Sequence, residues 1–205
     1  MGRKSRARAL SVWINGQLAG EWRIPARGDI EFQYDPAWVE SEDGRPLSLS
    51  LPFSLDKAPI KGKPVEYYFD NLLPDSEPIR KRLQDRFHTA SRNSFELLAA
   101  IGRDCVGAIQ LLAPGEQPQG VHTIDAKPLT DAGIEKALIK TVSPPSFAEH
   151  LAEDDFRISI AGAQEKTAFL RHKGRWCRPS GSTPTTHIFK LPLGLVGNMQ
   201  ADMTS

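Results

Sequence analysis

The fold predicted for the second half of the chain depends on one stretch, Phe156–Pro192, which reads FRISIAGAQEKTAFLRHKGRWCRPSGSTPTTHIFKLP. Apolar and polar residues alternate over Phe156–Ile160, which predicts a half-buried strand. Further strands are predicted at Thr167–Arg171, Arg175–Arg178 and Thr186–Leu191. The turn residues Lys173 and Gly174 separate the second of these four strands from the third. The pattern indicates a small antiparallel sheet.

Between the first two strands lies a turn made mostly of small residues. Its members are Ala161, Gly162, Ala163, Gln164, Glu165 and Lys166. Such a turn lets backbone N–H groups approach phosphate oxygens, and a lysine on a later strand, here Lys190, adds a fixed positive charge. The spacing alone leaves an alternative open. In that alternative the stretch is a plain hairpin whose glycine adopts a positive φ, and Lys190 points into water.

Five segments carry a resemblance to a known family. They are RISIAGAQEKTAF (Arg157–Phe169), PTTHIFKLP (Pro184–Pro192), RPLSLSLP (Arg45–Pro52), FDNLLPDS (Phe69–Ser76) and IGRDCVG (Ile101–Gly107). In these segments the sequence strongly resembles the HipA family of bacterial serine/threonine kinase toxins. The segments extend over nearly the whole chain, and several are long enough to be specific, so the chain is identified as a member of that family.

The resemblance implies roles for individual residues. Residues 161–166 match the ATP loop of the family, and Lys190 matches the strand lysine that contacts the ATP phosphates. Ser159 matches a serine that the family autophosphorylates, and its phosphorylation would expel the loop and empty the ATP site. Because Lys190 shares a strand face with Ile188, we expect its side chain to point inward.

The resemblance also implies a function for the whole protein. It would be an ATP- and magnesium-dependent kinase toxin of a type II toxin-antitoxin system. By phosphorylating an aminoacyl-tRNA synthetase, the glutamate enzyme by resemblance, it would inhibit translation and promote persistence. Its partner would be a small DNA-binding, HipB-like antitoxin, which connects the toxin to operator DNA. The alternative is a non-catalytic module that docks an antitoxin or a separate kinase lobe.

Catalytic and magnesium-binding aspartates are expected outside this sequence. A kinase needs an aspartate that orients the attacking hydroxyl, and carboxylate or amide ligands for magnesium. In the HipA family these groups lie in a larger, mostly helical C-terminal lobe, around a motif that this sequence lacks. We therefore expect these 205 residues to be a truncated or proteolysed N-terminal portion. A naturally split system is the less favoured alternative, because the chain includes the nucleotide loop and Lys190. Alone, it would have no catalytic or metal-binding residue and would not transfer a phosphoryl group.

Composition fits an ordinary protein of the cytoplasm. Lys and Arg number 26 against 25 Asp and Glu, so there is no global basic field for nucleic acid. The two cysteines, Cys105 and Cys177, match no metal-ligand spacing, so we expect reduced thiols. No apolar run approaches the roughly 20 residues of a membrane helix, and the N-terminus lacks the apolar core of a signal peptide.

The predicted fold class is α+β, in three parts. Residues 1–114 form an N-terminal subdomain of strands and helices, residues 115–155 a linker with a helix, and residues 156–205 the nucleotide-loop part of a kinase N-lobe. Elements predicted in the first part include a hairpin at Asn15-Gly16, a strand over Leu47–Leu51, and helices over Glu77–Phe87 and Ser94–Ile101, with a solvated basic face on the first of these helices.

Three polar residues of the first part allow two interpretations. Asp70, Asn71 and Asp75 carry the oxygen donors that hard cations prefer. Helix capping and turn formation before Pro74 are the commoner uses of such residues, and we favour that interpretation.

Overall fold

The computed structural model describes residues 8–103, 105, 108–142, 166–181, 183–191, 194–196 and 199–201. The first part contains β1 (Arg8–Ile14), β2 (Gln17–Ile24), β3 (Glu31–Tyr34), α1 (Pro36–Glu40), β4 (Ile60–Lys61), α2 (Lys63–Asp70), α3 (Glu77–Phe87), α4 (Ser94–Ile101) and β5 (Ile109–Leu112). After it come β6 (Ala126–Pro128), α5 (Asp131–Val142), β7 (Lys166–His172), β8 (Arg175–Pro179), β9 (His187–Lys190), β10 (Gly194–Val196) and β11 (Met199–Ala201). Helices and antiparallel sheets occur together, which confirms the α+β class.

The N-terminal sheet has five strands in the order β4-β3-β2-β1-β5, and neighbouring strands are antiparallel. The predicted hairpin joins β1 to β2. Asn15 and Gly16 have φ values of 49° and 83°, as a type I′ turn requires of both central residues. Because the turn adds no extra residues, Ile14 pairs directly with Gln17.

An aromatic cluster packs α2 and α4 onto this sheet. Trp22 of β2 stacks on Phe69 of α2 at 4.0 Å between ring centroids, and Phe95 of α4 lies 4.9 Å from Trp22. Phe32 of β3 contacts Phe69 edge-on at 6.0 Å. Trp22, Phe32 and Phe69 are fully buried. These rings form the centre of the N-terminal core.

The prediction of a strand at Leu47–Leu51 is wrong. Ser48 and Leu51 form an isolated bridge around a turn, and Leu49 is fully exposed. The hydroxyl of Tyr34 causes this shape, because it accepts the Leu47 N–H at 2.7 Å and donates to the Leu51 carbonyl. The alternating leucines are therefore a partly buried Leu47 and a buried Leu51 on either side of the exposed Leu49.

The second sheet has four strands in the order β6-β8-β7-β9, all antiparallel. Strands β7, β8 and β9 confirm three of the predicted strands, and the turn between β7 and β8 has positive φ at Lys173 and Gly174. The strand predicted at Phe156–Ile160 lies outside the described residues. Strand β6, from the segment predicted as a linker, pairs with β8 through Lys127 and Arg178.

Candidate functional site

Strands β7 and β9 bring two lysines together. Their antiparallel register places Lys166, the last residue of the predicted phosphate loop, directly opposite Lys190. Two hydrogen bonds join β7 to the residue before β9, at the end of this strand pair that lies away from the lysines. The Thr186 N–H donates to the Phe169 carbonyl at 3.0 Å, and the Arg171 N–H donates to the Thr186 hydroxyl at 2.7 Å. These hydrogen bonds stabilise the register that places the two lysines opposite each other.

The prediction that Lys190 points inward is wrong for the described part of the chain. Lys190 and Ile188 do share a strand face, but both side chains are exposed, Ile188 to 55%. The opposite face of β9 is the covered one, because Phe189 packs against Phe169 and Trp176 with ring centroids 5.0 and 5.1 Å apart. The alternation of side chains in the sequence shows which residues share a strand face, but it does not show which of the two faces is buried.

Lys166 has the more protected environment of the two lysines. Its side chain is half-buried, and this burial lowers its pKa. The positive charge of Lys190 lowers that pKa further, whereas the carboxylate of Asp75 raises it. The start of β7 therefore brings two lysine ammonium groups together. Such a cluster can bind an anion that carries more than one negative charge.

Asp75 belongs to the loop between α2 and α3, which Arg80 holds in place. The guanidinium of Arg80 donates to both carboxylate oxygens of Asp70, at 2.8 and 3.1 Å, and its Nε donates to the Pro74 carbonyl at 2.6 Å. Arg80 is 9% exposed, so the prediction of a wholly solvated basic face on α3 is wrong at this position. The Leu73 N–H also donates to the Asp70 carbonyl, so Asp70 has a turn-forming role.

The other predicted site residues lie outside the described residues. They are Ser159, Ala161, Gly162, Ala163, Gln164 and Glu165. Of the predicted ATP-binding set, the structure places Lys166 and Lys190, and it brings them together. Sequence reasoning missed that Lys166 and Lys190 face each other, because no local signal in the sequence gives the register of β7 and β9.

The described ranges hold no sign of a metal site or a membrane-spanning helix. No group of three or more His, Cys, Asp or Glu side chains there could hold a metal ion. Cys105 and Cys177 are both buried, and they do not form a disulfide with each other. No helix in the described ranges is long and apolar enough to cross a membrane.

Comparison with known proteins gives relatives along most of the chain. The putative kinase Y4mE of Sinorhizobium fredii is 33% identical over 189 residues, which cover 91% of this chain and 44% of the relative. The putative kinase Y4dM of the same organism is 32% identical over 190 residues, covering 89% and 41%. The serine/threonine-protein kinase toxin HipA of Shewanella oneidensis is 25% identical over 182 residues.

A solved structure shows the same fold. It is the complex of Shewanella oneidensis HipA with HipB and operator DNA, which matches with a TM-score of 0.62 at 23% identity. The match covers 88% of this chain and 40% of the solved one. The chain thus spans less than half of the length of these relatives. A family model described as the HipA N-terminal domain matches residues 10–112, and the chain therefore belongs to the HipA family.

Proposed function

We propose that the chain is the N-terminal lobe of a HipA-like serine/threonine kinase toxin and holds half of its ATP site. The pairing of Lys166 with Lys190 is the observation that carries this proposal. Like charges directly opposite each other on neighbouring strands destabilise a sheet, and burial of Lys166 adds a desolvation cost. A bound polyphosphate would offset both costs, because its oxygens would lie between the two ammonium groups.

The residues present fit the phosphates of ATP. Lys166 and Lys190 would hold phosphate oxygens by charge-assisted hydrogen bonds. The small-residue turn at 161–165 would supply backbone N–H groups beside them. ATP, with Mg²⁺, supplies the phosphoryl group for transfer. The carboxylates that hold the metal and orient the attacking hydroxyl belong, in this proposal, to a C-terminal lobe that completes the protein.

Ser159 is the proposed autophosphorylation site and switch. It precedes the small-residue turn by two positions, on the polar side of the predicted strand Phe156–Ile160. A phosphate brings a charge of about −1.5 to −2 and three strongly solvated oxygens. A strand position shaped for a neutral hydroxyl cannot retain that group, so phosphorylation would expel residues 161–166 and switch the kinase off.

The proposed substrate is an aminoacyl-tRNA synthetase, the glutamate enzyme in the first instance, whose phosphorylation would inhibit translation. The proposed partner is a small DNA-binding antitoxin that recruits the toxin to operator DNA. Support for the partner comes from the Shewanella oneidensis HipA structure, which was solved with HipB and operator DNA. The fold shared with that protein makes the same kind of assembly available to this family member.

Phosphoryl transfer tests the proposal. The 205-residue chain and the same chain completed with a C-terminal kinase lobe are each incubated with labelled ATP, Mg²⁺ and glutamyl-tRNA synthetase. We expect phosphate on the synthetase, and on Ser159, only with the completed protein. A completed protein that folds and binds an antitoxin but incorporates no phosphate would overturn the kinase proposal and favour the binding-module alternative.

A further inference from the structure

The segment that forms β7, β8 and β9 is strongly basic, although the whole chain is almost neutral. Residues 166–191 contain six Lys and Arg residues and no Asp or Glu, whereas the whole chain has 26 basic and 25 acidic residues. The positive charge of this segment is thus balanced only by acidic residues elsewhere in the chain. A local excess of one sign attracts an oppositely charged partner even where the net charge is small.

One face of this sheet carries a cluster of planar side chains. Arg171 of β7 lies directly opposite Trp176 of β8, and its guanidinium carbon is 4.8 Å from the centre of the indole ring. The rings of His187 and Phe189, both from β9, contact the same indole edge-on, with centroids 4.8 and 5.1 Å away. Phe189 is partly covered by these contacts, whereas Arg171 and His187 are exposed. A guanidinium and an imidazole are therefore open to solvent beside a half-buried indole.

Thr186, the residue before β9, connects the two exposed members of this cluster. Its hydroxyl accepts the backbone N–H of Arg171 at 2.7 Å and forms a hydrogen bond of 2.8 Å with Nδ1 of His187. The indole of Trp176 supports both side chains from below. The planar groups are thus held in place before any ligand binds, which reduces the entropy cost of binding.

We propose that the Trp176 platform, formed by Arg171, Trp176 and His187, binds unpaired nucleotides of an RNA strand. A base would stack on the exposed guanidinium or imidazole, and Arg171 would also donate a hydrogen bond to a phosphate. The flat face of a base is accessible only in an unpaired strand, which excludes a duplex as the ligand. Cellular DNA is mostly paired, so the source is RNA.

The chemistry of the platform favours RNA over an acidic polypeptide. Both would match the positive charge, but carboxylate side chains offer no planar ring system to stack on the cluster. The proposal is also independent of the ATP site. Lys166 and Lys190 occupy the other face of β7 and β9, because each is an odd number of residues from the platform residue on its strand.

Fluorescence anisotropy with a labelled uridine RNA of about 12 nucleotides tests the proposal on the 205-residue chain. Uridine strands form little structure, so every base is available for stacking. In Arg171→Gln the affinity should fall roughly fivefold to 150-fold, the range for one lost stacking contact. The slope of log affinity against log salt should also become smaller by about 0.7, which corresponds to one lost phosphate contact. Arg171→Lys should keep the slope and still bind more weakly, because its ammonium group is not planar.

Two further variants test the assignment to this face. Arg175→Gln removes an equal charge from an exposed position next to Trp176, but on the other face of β8, and should weaken binding far less than Arg171→Gln. Trp176→Leu removes the indole and should weaken binding as much as Arg171→Gln does, with circular dichroism showing that the variant is folded. Equal losses in Arg171→Gln and Arg175→Gln would overturn the assignment, as would full affinity of a folded Trp176→Leu.

Competition experiments identify the kind of ligand. Unlabelled duplex RNA of the same length and polyglutamate should both displace the uridine strand poorly. Equal competition by polyglutamate would assign the platform to an acidic protein instead, and equal competition by the duplex would show that only charge is recognised. Tighter binding of the matching thymidine DNA strand would overturn RNA as the source. A folded parent chain that binds no uridine RNA at all would overturn the proposal.

Discussion

Lys166 and Lys190 lie directly opposite each other on antiparallel strands, with Lys166 half-buried. Burial of the Lys166 ammonium group and its repulsion by Lys190 both disfavour the folded sheet. Other contacts hold the strands together, among them the packing of Phe189 on Phe169 and the hydrogen bonds of Thr186. The fold therefore tolerates the pair, and we propose that the two lysines serve to bind the phosphates of ATP.

Replacing Lys190 by alanine should damage activity and leave the fold intact. In the chain completed with a C-terminal lobe, Lys190→Ala should lower phosphoryl transfer by roughly two to four powers of ten, the scale of a lost preorganised charge at the transferring phosphate. The thermal midpoint should change little and should not fall, because Lys190 is exposed and its removal relieves the repulsion toward Lys166. Lys127→Ala, which removes an exposed lysine from β6 of the same sheet, is the control. Full activity of Lys190→Ala would remove Lys190 from the ATP site.

Phosphorylation of Ser159 should empty the ATP site of the completed kinase. Limited proteolysis should cut residues 161–166 faster in the phosphorylated form, and ATP affinity should fall below detection. Ser159→Ala should bind ATP like the unmodified parent, because it cannot receive the phosphate. A phosphorylated form that binds ATP as tightly as the parent, with the loop still protected from protease, would show that no such switch operates.

Removing Arg80 should destabilise the N-terminal domain. Its side chain is 11% exposed and that of Asp70 is 42% exposed, so Asp70 can regain water after the loss. We expect Arg80→Met to cost about 2 kcal/mol of unfolding free energy in urea, below the roughly 3–5 kcal/mol of a fully buried pair. Arg92→Met breaks the exposed pair with Glu77 and should cost less than about 1 kcal/mol. Equal costs would contradict the role given to Arg80.

Tyr34 should make stability depend on pH in the alkaline range. Burial raises its pKa to about 12, from its usual value near 10, although the hydrogen bond from Leu47 acts in the opposite direction. Between these two pH values the unfolded chain loses the tyrosine proton while the folded protein keeps it. Stability due to this group is therefore complete below pH 10 and decreases as the pH rises toward 12, by about 1.4 kcal/mol per unit.

The variant Tyr34→Phe tests this account by urea denaturation at several pH values. At pH 7 it should be less stable by about 1–3 kcal/mol, because the Leu47 N–H and the Leu51 carbonyl lose a buried partner. Between pH 10 and 12 its stability should decrease less steeply than that of the parent. Tyr67→Phe, at a position 56% exposed, is the control. A parallel decrease in the parent and Tyr34→Phe would show that Tyr34 is not the responsible group.

Local signals predicted much of the fold. Helices α3 and α4 begin and end at the predicted residues, Glu77–Phe87 and Ser94–Ile101. At α4 the apolar periodicity coincides with an N-cap at Asn93 and a C-cap at Gly102. The hairpin at Asn15-Gly16 is equally local. At Leu47–Leu51 the prediction failed because the Tyr34 hydroxyl, 13 residues from Leu47, replaces the hydrogen bonds of a strand.

The candidate site was harder to predict because its geometry is not local. The resemblance identified Lys166 and Lys190, but only the register of β7 and β9 shows that they face each other. Helical periodicity assigned Arg80 to a solvated face, since it cannot detect that the turn after α2 returns Asp70 to it, ten residues away.

The most direct test of an ATP half-site is a titration of the 205-residue chain, with isotope-labelled lysine side chains, followed by nuclear magnetic resonance. This method detects weak binding, as expected for half of a cleft. Millimolar Mg²⁺-ATP should shift the side-chain signals of Lys166 and Lys190 in a saturable way and leave those of Lys127 and Lys136 in place. Equal shifts at all four lysines, or saturable shifts only at lysines outside the β7–β9 pair, would contradict the account.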